Sequence, residues 1–93
     1  MTLDYGQDIF YLGSRIRDER ESRGMSQEVM ADATGVSVST LYRFENGVRV
    51  LPVDLLLRIA DVLDVSVLTL LPPRFELQDK CHIHVNYHQV SRK

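Results

Sequence analysis

Residues 26–47 read SQEVMADATGVSVSTLYRFENG, and the fold turns on how this stretch is divided. Ser26 is a residue type that accepts hydrogen bonds from the free backbone N–H groups of a helix start, and Glu28 adds negative charge to the first turn. Met30 and Ala31, then Leu41 and Phe44, recur at spacings that place apolar side chains on one side of each of two short helices. Gly35 falls between them, where the chain must reverse and where positive φ is commonly required. Ser37 supplies a second cap. Gly47 stands just past the last periodic residue, where a helix commonly ends on glycine. The stretch predicts helix, tight turn, helix, with both apolar faces turned toward a shared core.

Upstream, Ile9, Leu12 and Ile16 share one stripe of a predicted helix from about Ile9 to Arg23, with Asp8 as its cap. Gly13 inside that pattern costs about 1 kcal/mol relative to Ala, which moves the expected start toward Leu12 and leaves residues 1–11 as an N-terminal extension. Arg15, Arg17, Arg20 and Arg23 alternate with Asp18, Glu19 and Glu21, the pattern of a solvated, ion-paired helix face. Downstream, Pro52 has the fixed φ that suits a first helical turn and predicts a fourth helix from Pro52 to Leu63. That helix holds Val53, Leu55, Leu56, Leu57, Ile59, Val62 and Leu63, more apolar surface than one face can bury in a small monomer. Part of it, with Leu57 as the named contact, is expected to meet a second subunit. Ser66 opens a short fifth helix, and Pro72-Pro73 end it.

Beyond the prolines the period changes to two. Phe75 and Leu77 flank Glu76, and Ile83, Val85 and Tyr87 alternate with His82, His84, Asn86 and His88, which predicts two strands linked around Asp79-Lys80. A lone hairpin is barely stable in water. Residues 72–93 are therefore expected to form a β tail that pairs with the same segment of a second chain, through Phe75, Leu77, Ile83, Val85 and Tyr87.

Ninety-three residues suit one domain, and a hydrophobic fraction of 44% fits a folded protein. Apolar runs are too short for a membrane span or a signal peptide, so a cytoplasmic location is expected. The single Cys81 cannot form an internal disulfide, in keeping with a reducing compartment. His82, His84 and His88 would share one strand face with neighbours about 6–7 Å apart. Cys81 points the other way and no fourth ligand stands at metal-site spacing, so no metal or cofactor is expected. The sequence contains no nucleophile–base pairing, paired carboxylates or phosphate-cradling glycine loop, so it does not read as an enzyme.

S-Q-x-x-x-A at 26–31, Gly35, Ser37, Leu41 and Phe44-Glu45-Asn46-Gly47 resemble the helix-turn-helix of the Xre/Cro-type, phage-repressor-like DNA-binding family. The likeness extends to Leu12-Gly13, Ile16-Arg17 and Arg20 through Met25 upstream. Downstream it takes in Pro52, Leu56 through Ala60, Leu63, Val65-Ser66 and Leu70-Leu71. It covers about residues 12–71 and implies an all-α, five-helix lambda-repressor-like domain, with the β tail appended. Asp64 replaces the glycine usual in the family.

The resemblance implies roles residue by residue. Val38, Ser39, Tyr42 and Arg43 fall on the base-reading positions of the second motif helix, and Arg43 can bond O6 and N7 of guanine together, worth about 1–3 kcal/mol of discrimination. Gln27, at the start of the first motif helix, is implied to contact phosphate, with Thr40, Asn46 and Arg49 as further candidates. Asn before Gly also shapes turns, so Asn46 has a structural reading as well. Arg20 is implied to pair with Glu45, tying the first helix to the end of the third.

The function so implied is a homodimeric, sequence-specific transcriptional regulator on double-stranded DNA, most simply a repressor, with control of its own promoter as the expected mode. Its site would be pseudo-palindromic, with half-sites about 34 Å apart. The family also contains antitoxins, which gives an alternative in which the tail or the fourth helix binds a toxin as protein partner. Net charge bears on either reading. The chain carries 11 basic and 13 acidic side chains. Residues 1–50 alone hold six Arg against eight Asp and Glu, or −2. Attraction to phosphate must come from a few placed groups, not from bulk charge.

Overall fold

The computed structural model describes residues 5–75, which are all-helical. In order they form α1 (Gly6–Ser22), α2 (Gln27–Thr34), α3 (Val38–Glu45), α4 (Val53–Leu63) and α5 (Val67–Leu70), then a 3₁₀ turn at Pro73–Phe75. Every interior start carries the predicted signal. Ser26, Ser37 and Ser66 each accept a hydrogen bond from a backbone N–H of the helix that follows, at Val29, Thr40 and Leu68 respectively. Pro52 is extended, with ψ 148°, so it precedes α4 instead of opening it. Its ring still fixes the φ of the entry.

Ile16, Met30, Ala31, Leu41, Phe44, Leu55, Ile59, Ala60, Leu63 and Leu70 form one buried cluster contributed by all five helices. Both helices of the 26–47 stretch thus bury the faces their spacing predicted. Gly35 adopts φ 81°, the left-handed turn expected there, and Asp64, in place of the family's glycine, ends α4 at φ 58°. No helix among the described residues is long and apolar enough to cross a membrane.

Three features depart from the sequence reading. α1 begins at Gly6, with Tyr5 as a cap that makes no side-chain bond, so Asp8 lies in the first turn instead of capping it. The early turns are held from elsewhere: Asp8 pairs with Arg74, 66 positions away, and the Phe10 backbone lies against Gly47. Phe75 closes the 3₁₀ turn and is not in a strand. Leu77, Ile83, Val85 and Tyr87, with the rest of the predicted β tail, lie outside the described residues.

Gly13 is the third departure. A Cβ built there would stand 2.1 Å from the Phe44 carbonyl oxygen and 2.9 Å from that of Glu45. The glycine that weakens α1 as an isolated helix lets it cross the end of α3 at backbone distance, a contact no local pattern reveals.

Candidate nucleic-acid interface

The centre of the site is a buried ion pair. Glu45, the last residue of α3, is fully buried and Arg20 is 6% exposed. The guanidinium donates to both carboxylate oxygens, Nε to Oε2 at 2.7 Å and Nη2 to Oε1 at 3.0 Å. Its Nη1 donates to the Met25 carbonyl at 2.7 Å. The hydrogen bond to Glu45 holds the Arg20 guanidinium above its ordinary value despite the opposing effect of burial. Gln27 Nε2 donates to Glu45 Oε1 at 3.1 Å. One carboxylate therefore fixes the end of α1, the start of α2 and the end of α3. The bidentate pair fixes α3 against α1, and the Gln27 bond ties the start of α2 to the same carboxylate.

Gln27 thus reaches inward with one of its two amide hydrogens. The second amide hydrogen remains available, as does its backbone N–H, which no helical carbonyl can satisfy at a first turn. Thr40 is half-buried, and its hydroxyl accepts from Ser37 Oγ at 2.8 Å. Asn46 Nδ2 donates to the Tyr42 carbonyl at 2.8 Å. Asn46 therefore helps hold the end of α3. Behind it, the Gly47 N–H bonds to the Phe44 carbonyl at 3.1 Å and the Val48 N–H to the Arg43 carbonyl at 2.9 Å, with Gly47 at φ 70°. Two chain-reversing bonds of this kind close a helix firmly. Arg49 lies over the Phe44 ring, 6.0 Å from its centroid.

The opposite face of α3 is different. Val38, Ser39, Tyr42 and Arg43 are all exposed, Tyr42 by 56%. They share the helix with buried Leu41, Phe44 and Glu45, so the outward row is rigidly backed without being used by the fold. Arg43 has no carboxylate partner among the described residues. Arg17 and Arg49 have none either, whereas Arg15, Arg20, Arg23, Arg58 and Arg74 are each paired with an acid. Five arginines are thus neutralised within the fold by Asp8, Glu19, Glu45 and Asp54.

One anchoring contact was not legible in the sequence. Arg58 of α4 donates Nη1 to the Thr34 carbonyl at 2.8 Å and Nη2 to Asp54 at 3.2 Å, clamping the C-terminal end of α2. An arginine in mid-helix gives no local sign of a partner 24 residues away. On α4 itself, Leu57 is 52% exposed and Val53 71%. Val48 and Val50 in the preceding loop are also exposed.

Two short helices meeting through a tight turn, with a fixed angle and a bare polar row on the second, define a helix-turn-helix DNA-binding unit. The helix-turn-helix family profile matches residues 16–70, and the chain belongs to this family, in its Xre/Cro-like, lambda-repressor-like branch. Over 56 residues it is 46% identical to the transcriptional regulator RamB of Mycobacterium tuberculosis; this covers 60% of the chain but spans only 12% of RamB. The restriction-modification controller protein C.AhdI of Aeromonas hydrophila superposes with a TM-score of 0.70 at 31% identity, covering 73% of this chain and 99% of that one. SinR, a Bacillus subtilis regulator solved in complex with DNA, superposes with a TM-score of 0.59 at 37% identity, covering 63% of this chain and 95% of that one.

Proposed function

We propose that this chain is a homodimeric transcriptional repressor that reads a pseudo-palindromic operator and acts on its own promoter. The observation that carries the reading is the outward row of α3. Ser39, Tyr42 and Arg43 are exposed, held by a buried helix face, and bonded through their side chains to none of the described residues. A rigid row of this kind can enter the major groove with Arg43 on guanine, Ser39 on a neighbouring base edge and Val38 against a thymine methyl. Tyr42 lines the groove wall. Gln27, Thr40 and Arg49 hold phosphates on either side, and Asn46 shapes the turn beneath them.

One such row covers a single half-site, so specificity requires two copies about 34 Å apart. Exposed Leu57 and Val53 on α4 support an apolar contact between copies. Selection of random-sequence duplexes with the full chain is expected to recover an inverted repeat, matched by footprinting on the DNA flanking its own coding region. Recovery of no sequence preference would remove the reading. In ultracentrifugation, Leu57→Asp is expected to move the dimer toward monomer. An unchanged dimer would place the interface elsewhere.

A further inference from the structure

Among the described residues, the DNA reading leaves Arg17 without a task. Arg17 of α1 is half-buried, and no hydrogen bond, ion pair or ring contact engages its side chain among the described residues. Long cationic side chains in that position normally find an acid or a carbonyl. Here Arg17 finds neither among the described residues. Glu21, one turn on, lies 3.8 Å from Arg20 Nη2, and Asp18 is adjacent in sequence and so does not face Arg17 on a helix. The carbonyls at the end of α3 are already met: Tyr42 by Asn46 Nδ2, Arg43 by the Val48 N–H and Phe44 by the Gly47 N–H.

Its place on α1 is defined by its neighbours on that side of the helix. Phe10 lies at Gly47, and Gly13 lies at the Phe44 and Glu45 carbonyls. Arg20, one turn beyond Arg17, joins Glu45 and, through it, Gln27. Arg17 therefore stands on the edge that runs from the loop of Arg49 to the first turn of α2, the two proposed phosphate contacts. From Phe10 to Arg20 this edge is about 15 Å long. A DNA strand presents a phosphate for each ~3.4 Å of duplex axis, so a strand laid along the edge has one within reach of a side chain between its ends.

We propose that Arg17 is a backbone-phosphate ligand of the DNA-bound protein, holding the strand between the Gln27 end of α2 and the Arg49 loop. The proposal rests on the reading of the chain as a DNA-binding regulator. It accounts for how an acidic chain engages DNA: Arg17, Arg43 and Arg49, the arginines without an acid partner among the described residues, are the ones that meet the nucleic acid.

The test is a salt titration of binding by wild type, Arg17→Gln and Arg17→Lys. Each is run on a duplex recovered from random-sequence DNA with the wild-type protein and on an unrelated duplex of equal length. Arg17→Gln is expected to lower the slope of log affinity against log salt by about 0.9 per subunit. That slope corresponds to roughly eightfold weaker binding per subunit at ~0.1 M salt relative to ~1 M. The loss is equal on the two duplexes, and Arg17→Lys restores the slope. An unchanged slope in Arg17→Gln while wild type binds overturns the proposal alone. So does a loss confined to the selected duplex, or a lowered melting temperature with an unchanged slope. Failure of wild type to bind either duplex overturns both this proposal and the DNA reading.

Discussion

The two faces of α3 are built on opposite rules. On the inner face, Glu45 is fully buried and its carboxylate receives three hydrogen bonds, two from Arg20 and one from Gln27. On the outer face, Arg43 is exposed and its side chain bonds to none of the described residues. The two positions are two residues apart. Charge on the inner face is locked to fix where the helix lies, and charge on the outer face is left open for a partner. A recognition helix needs both, because an unfixed row cannot hold register on DNA and a fully paired row has nothing left to read with.

The sharpest way to break this contrast is at Glu45. Glu45→Ala leaves a nearly buried guanidinium without its partner and is expected to cost about 3–5 kcal/mol in urea denaturation. Replacing Arg20 and Glu45 together by apolar residues of similar volume is expected to recover most of that loss. If the single change costs under about 1 kcal/mol, the pair does not organise the helices.

Gly13→Ala probes the same inner face through sterics. Helix propensity alone predicts a gain of about 1 kcal/mol. With a Cβ 2.1 Å from the Phe44 carbonyl oxygen, the expected result is instead a net loss of about 1–3 kcal/mol, because α1 must move off α3. The sign of the change, read from denaturation midpoints, decides between them.

On the outer face, Arg43→Ala is expected to leave stability within about 0.5 kcal/mol. It should remove about 1–3 kcal/mol of preference at one base pair per half-site, measured with point-substituted duplexes. Equal loss on every sequence would make Arg43 a phosphate contact instead.

The smallest effect belongs to Glu19, which bridges Arg15 and Arg23 on the surface of α1. Hydrogen bonds from Arg23 and then Arg15 hold its carboxyl below the ordinary value of 4.5. Its contribution is therefore fully present above pH 4.5 and is lost as pH falls through the lower folded value. Surface i,i+4 pairs of this type are worth about 0.3–0.5 kcal/mol each. Glu19→Gln should remove that much at neutral pH and flatten the acid limb of the stability curve. An unaltered acid limb would assign it to other carboxylates.

Much of the fold was legible because its signals are local. The serine caps, Gly35, Asp64 and the apolar spacing of Met30, Leu41, Phe44 and Ile59 act within a few residues of themselves. The outward row of α3 was legible for the same reason, since helix geometry fixes what shares a face with Leu41 and Phe44. The early start of α1 was missed because it depends on Arg74 reaching Asp8 and on Phe10 meeting Gly47. Gly13 was misread as a local defect. Gln27 was assigned outward and turns one amide hydrogen inward, since the buried oxygen it meets belongs to a residue 18 positions on.

The sequence alone determined the helix-turn-helix, its caps, the apolar core and the helix that bears Arg43, because propensity, periodicity and capping are properties of neighbouring residues. Only the tertiary structure decided how near α1 comes to α3, which side chains share the Glu45 carboxylate, and which arginines folding leaves without an acid. Pairing depends on distances between residues far apart in the chain. In a protein with more acids than bases, those distances select the few cations that remain to meet another molecule.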